Sequence, residues 1–332
     1  MADTLESAAR REAAPAASPQ GPTARGRQGG RARPALAPGT SGVRRFGRFL
    51  LIPAVLGWLL IGVIPLLFIA ANSFFESTLG KPLRRWAGLE NYQEALGDPD
   101  AVAAIVRTAA YAVGVTAASV ALGLILALAV HSAWRRPSAL RAALLLPLFI
   151  PPVVVGVLFK QVFNPEGGLL AVLAKAVGLP APGVLSSTDT ALLGIAAADV
   201  WEWTPLVFLL VLAALLALDS SVLEAARLDG ARGLSLFRGV LWPAIAAAVA
   251  AAALIRLVLA FKVFDLVSVM TSGGPGQSTT VASYLIHRVA LREFDLGRAS
   301  VLTLALAIVV TLVTAPLLAL NARANRLEEE PA

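Results

Sequence analysis

The chain has 332 residues, of which 57% are hydrophobic and 15% are charged, and its formal net charge is +7 at pH 7. Soluble domains carry about 25% charged residues and under half apolar ones, so this composition is typical of a protein with several membrane-spanning segments. There is no cysteine and there are 2 histidines, which excludes disulfides and thiolate metal sites and leaves few other metal ligands. The positive charge is concentrated in one tail and in short loops beside apolar runs, a pattern of membrane topology rather than of nucleic-acid binding.

The N-terminal segment has the composition of a disordered tail. Residues 1–42 are rich in Ala, Pro, Gly, Arg and Ser and have almost no large apolar side chains. Such a segment cannot bury enough surface to offset its ordering entropy, so residues 1–45 are predicted to be a disordered basic tail. It is not a secretory signal, because no apolar run follows its first charges. Its arginines could attract anionic membrane lipid at the cytoplasmic face; a solvated tail without a specific role is the alternative.

Six apolar runs are each long enough to cross a bilayer, which takes about 20 residues. In the third run Pro147, Pro151 and Pro152 are clustered, and this cluster predicts a kink or a local unwinding. The sequence therefore predicts an all-α, polytopic membrane domain over residues 46–322, followed by a short cytoplasmic tail at 323–332. The predicted spans are residues 49–74, 103–130, 142–163, 190–218, 243–263 and 296–320, with a polar loop at 219–242.

Basic residues in the short loops predict the orientation of the chain. An excess of Lys and Arg marks the cytoplasmic side of membrane proteins, and it is largest here when both termini are cytoplasmic. The loop 219–242 then faces the cytoplasm. The inner set is Arg44, Arg45, Arg48, Arg135, Arg136, Arg141, Arg227, Arg232, Arg238, Arg323 and Arg326. The outer set is Lys81, Arg84, Arg85, Lys175, Arg288 and Arg292.

The loop 219–242 carries helix signals at both ends. Ser221, with Glu224 three residues later, fits a capping box, which predicts that a short helix begins there. Gly230 and Gly233 lie where that helix is expected to end and turn. On these signals alone, an ordinary helix-turn-helix connection between two spans explains the loop equally well.

The spacing of residues in this loop is more specific than its caps. Ser235 could cap a second short helix, and Pro243 suits the first turn of the next span. The succession of small, acidic and glycine positions, followed by an aromatic residue and a proline, resembles the EAA loop of ABC importer permeases, and specifically of their carbohydrate-uptake branch. The matching residues are Glu224, Ala225, Ala226, Asp229, Gly230, Ala231, Phe237 and Pro243. Trp242 departs from that pattern, because the family usually has leucine before the proline.

The resemblance implies that this loop is the coupling helix, which docks in a cleft of a cytoplasmic ATPase. Small alanines would allow a close approach, Glu224 and Asp229 would present charge, and Gly230 would permit the bend. The resemblance further implies a heterodimer with a second permease subunit, two ATPase subunits that bind ATP and Mg, and an extracytoplasmic solute-binding protein. The chain is then a multi-pass transport subunit of the bacterial plasma membrane and not an enzyme.

Cofactor binding by the chain itself is not expected. It contains no G-x-x-x-x-G-K-[ST] phosphate loop, so ATP hydrolysis would be carried out by the partner subunits.

Two further segments resemble carbohydrate permeases. Gly-Leu-Glu-Asn-Tyr at 88–92 follows the first span, and Thr-Ser-Gly-Gly-Pro at 271–275 follows the fifth. Together with the loop they favour a sugar or oligosaccharide as cargo. A polyol or glycerol-phosphate remains open within the same class, as does a secondary transporter without ATPases, which the charges within the spans would support.

Charged side chains within the spans are candidates for substrate contact, because placing a charge in hydrocarbon costs a few kcal/mol or more. Carboxylates three residues apart share one helical face, where they could accept sugar hydroxyls while a nearby tryptophan stacks on the ring. The alternatives are an ion pair that joins Arg256 to Asp199 or Glu202, and tryptophans that belong to an interfacial belt. The candidate substrate-lining residues are Asp199, Trp201, Glu202, Arg256 and Lys262.

Overall fold

The computed structural model describes residues 51–132 and 138–329. The predicted tail at 1–45 lies outside the described residues, as do Arg135, Arg136 and the last three residues of the chain. Of the first unit, which ends at Gly57, the described residues 51–57 are helical. The second unit, from Trp58 onward, contains the helical bundle.

The described elements follow one another as long apolar helices separated by short polar ones. Helix α1 (Leu51–Asn72) leads into an antiparallel hairpin of β1 (Phe75–Thr78) and β2 (Lys81–Trp86), then α2 (Glu90–Gly97) and α3 (Pro99–Ser132). Next come α4 (Ser138–Leu145), α5 (Pro152–Val162), α6 (Leu169–Ala176), α7 (Ala191–Leu216) and α8 (Ser220–Leu228). The last are α9 (Leu234–Ala260), α10 (Asp265–Met270), α11 (Ala282–Leu291) and α12 (Leu296–Glu329).

Within the described ranges, five helices are long and apolar enough to cross a membrane, namely α1, α3, α7, α9 and α12. They occupy the positions of the first, second, fourth, fifth and sixth predicted spans. The predicted all-α membrane fold is therefore confirmed, with a short β-hairpin added in the polar segment after α1. Helix α12 continues to Glu329, so the described part of the predicted tail, residues 323–329, is helical and continuous with the last span.

The third apolar run is not one straight helix. Its two arms, Leu140–Phe149 and Pro152–Val162, meet at 102°. Pro151 is extended, with φ −59° and ψ 140°, because a residue that precedes proline avoids the helical conformation. Each arm is about 15 Å long at 1.5 Å per residue, which is too short to cross about 30 Å of hydrocarbon alone. The predicted kink is thus a sharp break, and the run 142–163 crosses the membrane only if both arms serve as one span.

Two of the long helices pass a proline by widening the turn before it. Helix α1 contains a π-turn at Leu59–Val63, ahead of Pro65, and α9 contains one at Phe237–Leu241, ahead of Pro243. Proline donates no backbone hydrogen bond and its ring crowds the preceding turn, so a wider turn allows the helix to continue. Helix α9 consequently begins within the loop, at Leu234, rather than near residue 243 as predicted.

The centre of the bundle is the contact between α3 and α7, and α9 packs against both. Small residues permit the close approach, since helices in membranes associate through tight packing rather than through the hydrophobic effect. A Cβ atom on Gly123 of α3 would lie 2.7 Å from the Cβ of Val207 and 2.9 Å from the backbone nitrogen of Phe208 on α7. Glycine at this position therefore sets the spacing of the two helices.

Replacing Gly123 by alanine should lower the stability of the bundle by about 1–3 kcal/mol, because the added methyl group would overlap the α7 backbone. Gly114→Ala on the same helix is the matched control, since a Cβ there meets no atom within 4 Å. Both variants would be compared by the temperature at which half of the purified protein in detergent aggregates. An equal aggregation temperature for the two would contradict the packing described here.

Candidate functional site

The loop 219–242 begins with a capped helix. The carboxylate of Asp219 accepts a hydrogen bond of 2.9 Å from the backbone N–H of Ser221, so Asp219 is the N-cap of α8. The backbone and hydroxyl hydrogen bonds of Ser221 lower the pKa of Asp219, and the cap is ionised at neutral pH, as suits a helix N-terminus. The predicted capping box at Ser221 is wrong by two residues, because the carboxylate of Asp219 is already in place to accept the bond.

The end of α8 is a Schellman turn. The backbone N–H of Gly230 donates to the carbonyl of Arg227, and that of Ala231 donates to the carbonyl of Ala226. Gly230 has φ +84°, a left-handed conformation that residues with a Cβ rarely adopt. A Cβ at Gly230 would meet no atom within 4 Å, so the backbone conformation alone requires glycine there. The predicted turn at Gly230 is confirmed.

The second half of the loop is built differently from the prediction. Ser235 is not an N-cap: its hydroxyl accepts from the backbone N–H of Arg232 and donates to the carbonyl of the same residue, and Gly233 (φ +52°) stands at the cap position. Phe237 and Trp242 lie at opposite ends of the π-turn with their ring centroids 5.9 Å apart. Trp242, the departure from the family pattern, is therefore accommodated by contact with Phe237.

The outer surface of the loop is apolar as well as charged. Leu228 is 89% exposed and Val222 is 51% exposed, and Leu234, which also borders the cavity described below, is 60% exposed. Ala225 and Asp229 are exposed beside them. Isolated exposed leucines are ordinary, whereas several on one short polar loop are typical of interaction surfaces. The sequence analysis did not single out these three apolar residues. They could have been found by noting that a loop with helices this short cannot bury its own apolar side chains, so those side chains remain exposed.

The opposite face of α8 lines a cavity. Ser220, Leu223, Glu224 and Arg227, spaced as one helical face, border about 850 Å³ between the loop and the ends of α3 and α7. Glu224 is exposed and lies on this side of the helix, whereas Asp229 lies at its C-terminal end. The two predicted charged residues therefore belong to different parts of the loop surface.

A buried ion pair lies deeper in the bundle. The Nη2 atom of Arg256 on α9 is 2.5 Å from Oδ2 of Asp199 on α7, and its Nε donates to the hydroxyl of Ser119 on α3 at 3.2 Å. Arg256 is 0% exposed and Asp199 is 3% exposed. The pair thus joins the three central helices at one level. This is the ion pair that the sequence left open as an alternative to substrate contact by these residues.

The other candidate substrate residues divide between interior and surface. Glu202 is buried beside the ion pair, at 2% exposure. Trp201 is 39% exposed, and its ring lies 5.5 Å from that of Phe159 on α5, which in turn lies 5.7 Å from Phe163. We call these three rings the aromatic surface. Lys262 is exposed just beyond the end of α9. Phe159 and Phe163 were not foreseen, because they lie on the arm that follows the break in the third apolar run.

Comparison with known proteins identifies the family. Residues 119–326 match the family described as binding-protein-dependent transport system inner membrane component. This stretch covers α7, the loop and α9 completely. The chain belongs to this family.

Individual relatives agree with that assignment. The chain is 31% identical to a probable ABC transporter permease protein, y4oQ, of Sinorhizobium fredii, over 80% of this chain and 87% of the relative. It is 28% identical to the trehalose/maltose transport system permease protein MalF of Thermococcus litoralis, over 81% and 92%. The solved structure of a bacterial alginate ABC transporter, in complex with a periplasmic protein bound to alginate pentasaccharide, has the same fold, with a TM-score of 0.73, 18% identity and coverage of 88% and 99%.

These findings make the chain a multi-pass inner-membrane permease subunit of the ABC importer class. The family assignment excludes the secondary transporter that the charges within the spans left open. Two of those charges, Asp199 and Arg256, neutralise each other in the buried ion pair.

Replacing Arg256 by methionine should destabilise the bundle by about 3–5 kcal/mol, since the carboxylate of Asp199 would be left buried without its partner. Arg227→Met, on the exposed surface of α8, is the matched control and should cost little. Thermal aggregation in detergent measures both. If Arg256→Met were as stable as the control, the ion pair would not be what holds α7 and α9 together.

Proposed function

We propose that this chain is the permease subunit of an ATP-driven importer for a sugar or oligosaccharide, and that its loop 219–242 docks on a cytoplasmic ATPase. The observation that carries the docking proposal is the rigid loop itself: a capped helix and a Schellman turn hold Leu228 out into solvent. A fixed apolar projection beside charged residues suits insertion into a cleft of a partner. The loop residues proposed to contact the ATPase are Glu224, Ala225, Ala226, Asp229, Gly230, Ala231, Phe237 and Pro243, with Val222, Leu228 and Leu234 added.

The remainder of the assembly follows from this proposal. A second permease subunit would complete the translocation path, two ATPases would bind ATP and Mg, and a solute-binding protein would deliver the cargo. The chain itself would bind no cofactor and catalyse no reaction. Transport would arise because nucleotide binding favours one of two permease conformations over the other. Both termini would be cytoplasmic, an orientation that the distribution of basic loop residues supports.

A sugar cargo is supported by the aromatic surface and by the carbohydrate relative. Sugar rings present apolar faces that pack on aromatic side chains, and Trp201 is the most accessible ring of this surface. Lys262 could accompany it as a hydrogen-bond donor. Asp199 and Arg256 would not contact the sugar, because their side chains are buried against each other. They would instead hold α7, and with it Trp201, in position.

A glycerol-phosphate cargo is less well supported. A phosphate calls for several converging Arg or Lys side chains. Near the aromatic surface, Lys160 donates to the carbonyl of Val269 at 3.2 Å, so it is already engaged.

Replacing Leu228 by aspartate should weaken association with the ATPase by about tenfold or more, because a charge would replace an apolar group that becomes buried on docking. Co-purification with the ATPase and its titration by surface plasmon resonance measure this effect. Leu179→Asp is the matched control, since Leu179 is 61% exposed in the segment between α6 and α7. Unchanged ATPase binding by Leu228→Asp, with the protein present in the membrane, would refute docking at this loop.

Replacing Trp201 by alanine should raise the KM for sugar uptake about threefold to tenfold, with a smaller change in kcat, because stacking stabilises bound substrate in the ground state and in transit alike. The measurement is radiolabelled uptake into proteoliposomes that contain the assembled transporter. Trp86→Ala, which removes a tryptophan that is 64% exposed on the hairpin, should leave KM unchanged. Equal KM values for the two variants would argue against substrate contact at the aromatic surface.

A further inference from the structure

A second buried carboxylate lies one helical turn from the ion pair. Glu202 follows Asp199 by three residues, so it lies about 4.5 Å further along α7 on the same face. Glu202 is 2% exposed, so its carboxylate is buried in the same interior as Arg256. The guanidinium of Arg256 thus lies in the same interior as the carboxylates of Asp199 and Glu202. Its Nη1 donor and the Oε2 acceptor of Glu202 make no hydrogen bond among the described residues.

A purely structural ion pair would not need the second carboxylate. Asp199 alone neutralises Arg256, and Ser119 satisfies the Nε donor. Burying a carboxylate without a hydrogen-bond partner costs free energy, so we expect Glu202 to form a compensating interaction in another conformation. A conformation in which Arg256 pairs with Glu202 would supply that interaction.

The helices that carry these groups are the two that enter and leave the loop 219–242. Helix α7 runs toward the loop, so Glu202 lies closer to the loop than Asp199 does. Helix α9 runs away from the loop and packs antiparallel to α7. Transfer of Arg256 from Asp199 to Glu202 would therefore displace α9 along α7, toward the loop, by up to one turn.

We propose that Glu202 is the second position of Arg256 in the transport cycle: α9 alternates between two registers on α7, one with Arg256 on Asp199 and the other with Arg256 on Glu202. Movements of one turn between packed helices are discrete, because close-packed interfaces have few stable arrangements. The inference rests on the proposed function, since the two registers are those of an importer driven by its ATPases. It gives Glu202 a role as a positioning residue rather than as a substrate ligand.

The chain contains no cysteine, so spin labels can be placed at chosen positions without background. Leu193 and Ala244 are exposed, near opposite ends of the antiparallel helices. From the rise per residue they are separated by about 27 Å along the axis, and the proposed shift would lengthen that separation by about 4–5 Å. The Leu193→Cys, Ala244→Cys chain would be labelled first, assembled with unlabelled partner subunits into the complete transporter in vesicles, and measured by pulsed dipolar EPR.

With Asp199, Glu202 and Arg256 unchanged, the two labels should be at the shorter distance without nucleotide. They should be at the longer distance when vanadate traps nucleotide on the ATPases. Glu202→Gln should keep the shorter distance in both conditions, because Arg256 loses its second carboxylate. Asp199→Asn should favour the longer distance even without nucleotide. Glu166→Gln, an exposed carboxylate in the turn before α6, is the matched control and should switch normally.

A transporter that moves sugar yet keeps one distance in every nucleotide state would overturn the inference and leave the proposed function intact. The inference would also be overturned by a shift that survives in Glu202→Gln. If Asp199→Asn fails to assemble, Glu202→Gln still decides, since it removes no partner from the present ion pair. An assembled complex that hydrolyses ATP but moves no sugar with any binding protein would overturn the proposed function, and this inference with it.

Discussion

A single buried guanidinium organises the membrane domain. Arg256 is inaccessible to solvent, and its contacts with Asp199 and Ser119 join α9, α7 and α3. A charge in hydrocarbon is tolerated only when it is paired and hydrogen-bonded, so the three helices must meet at this level if they are to bury it. The close approach of α3 to α7 at Gly123 makes such a meeting possible by bringing the two backbones together. Packing and electrostatics therefore specify the same arrangement.

The consequence for function is mechanical. The two helices that the ion pair joins are the same two that the loop 219–242 connects, so a force on the loop is passed to both of them. The loop is suited to receive a force, because its helix is capped at Asp219 and closed at Gly230 by backbone hydrogen bonds. Under the proposed docking, this closed helix would transmit the force of the ATPase to α7 and α9, and the buried ion pair would set the register of α9 on α7. ABC importers need such a connection, since the energy is released outside the membrane and the substrate crosses within it.

Much of this architecture could be predicted from the sequence, and the exceptions have physical reasons. Runs of apolar residues predict spans because the bilayer sets their length, and the spacing around Glu224 marks the loop because it resembles the loop of ABC importer permeases. The 102° angle of the break could not be predicted, since a proline cluster predicts that a helix is interrupted but not the direction of the helix that follows. The sequence does not distinguish Ser221 from Asp219 as the cap, because both residue types accept the same bond and only the backbone conformation decides between them. The choice of Arg256 between two carboxylates on one face likewise depends on the helix register, which periodicity does not specify.

Transmission of force from the ATPase through the loop to α7 and α9 is tested most directly by a coupling ratio. This ratio is the number of sugar molecules transported per ATP hydrolysed in proteoliposomes that contain the assembled transporter. Gly230 is the residue to change, because its left-handed backbone shapes the loop while a Cβ there would meet no atom of this chain within 4 Å. Gly230→Ala should lower the ratio, since alanine disfavours that backbone by about 1 kcal/mol, whereas Gly230→Asn should retain most of it, because asparagine adopts the left-handed conformation more readily. If both variants bind the ATPase and give the ratio of the unsubstituted protein, the shape of the loop does not transmit the force, and the proposed coupling of the ATPase to α7 and α9 through the loop is wrong.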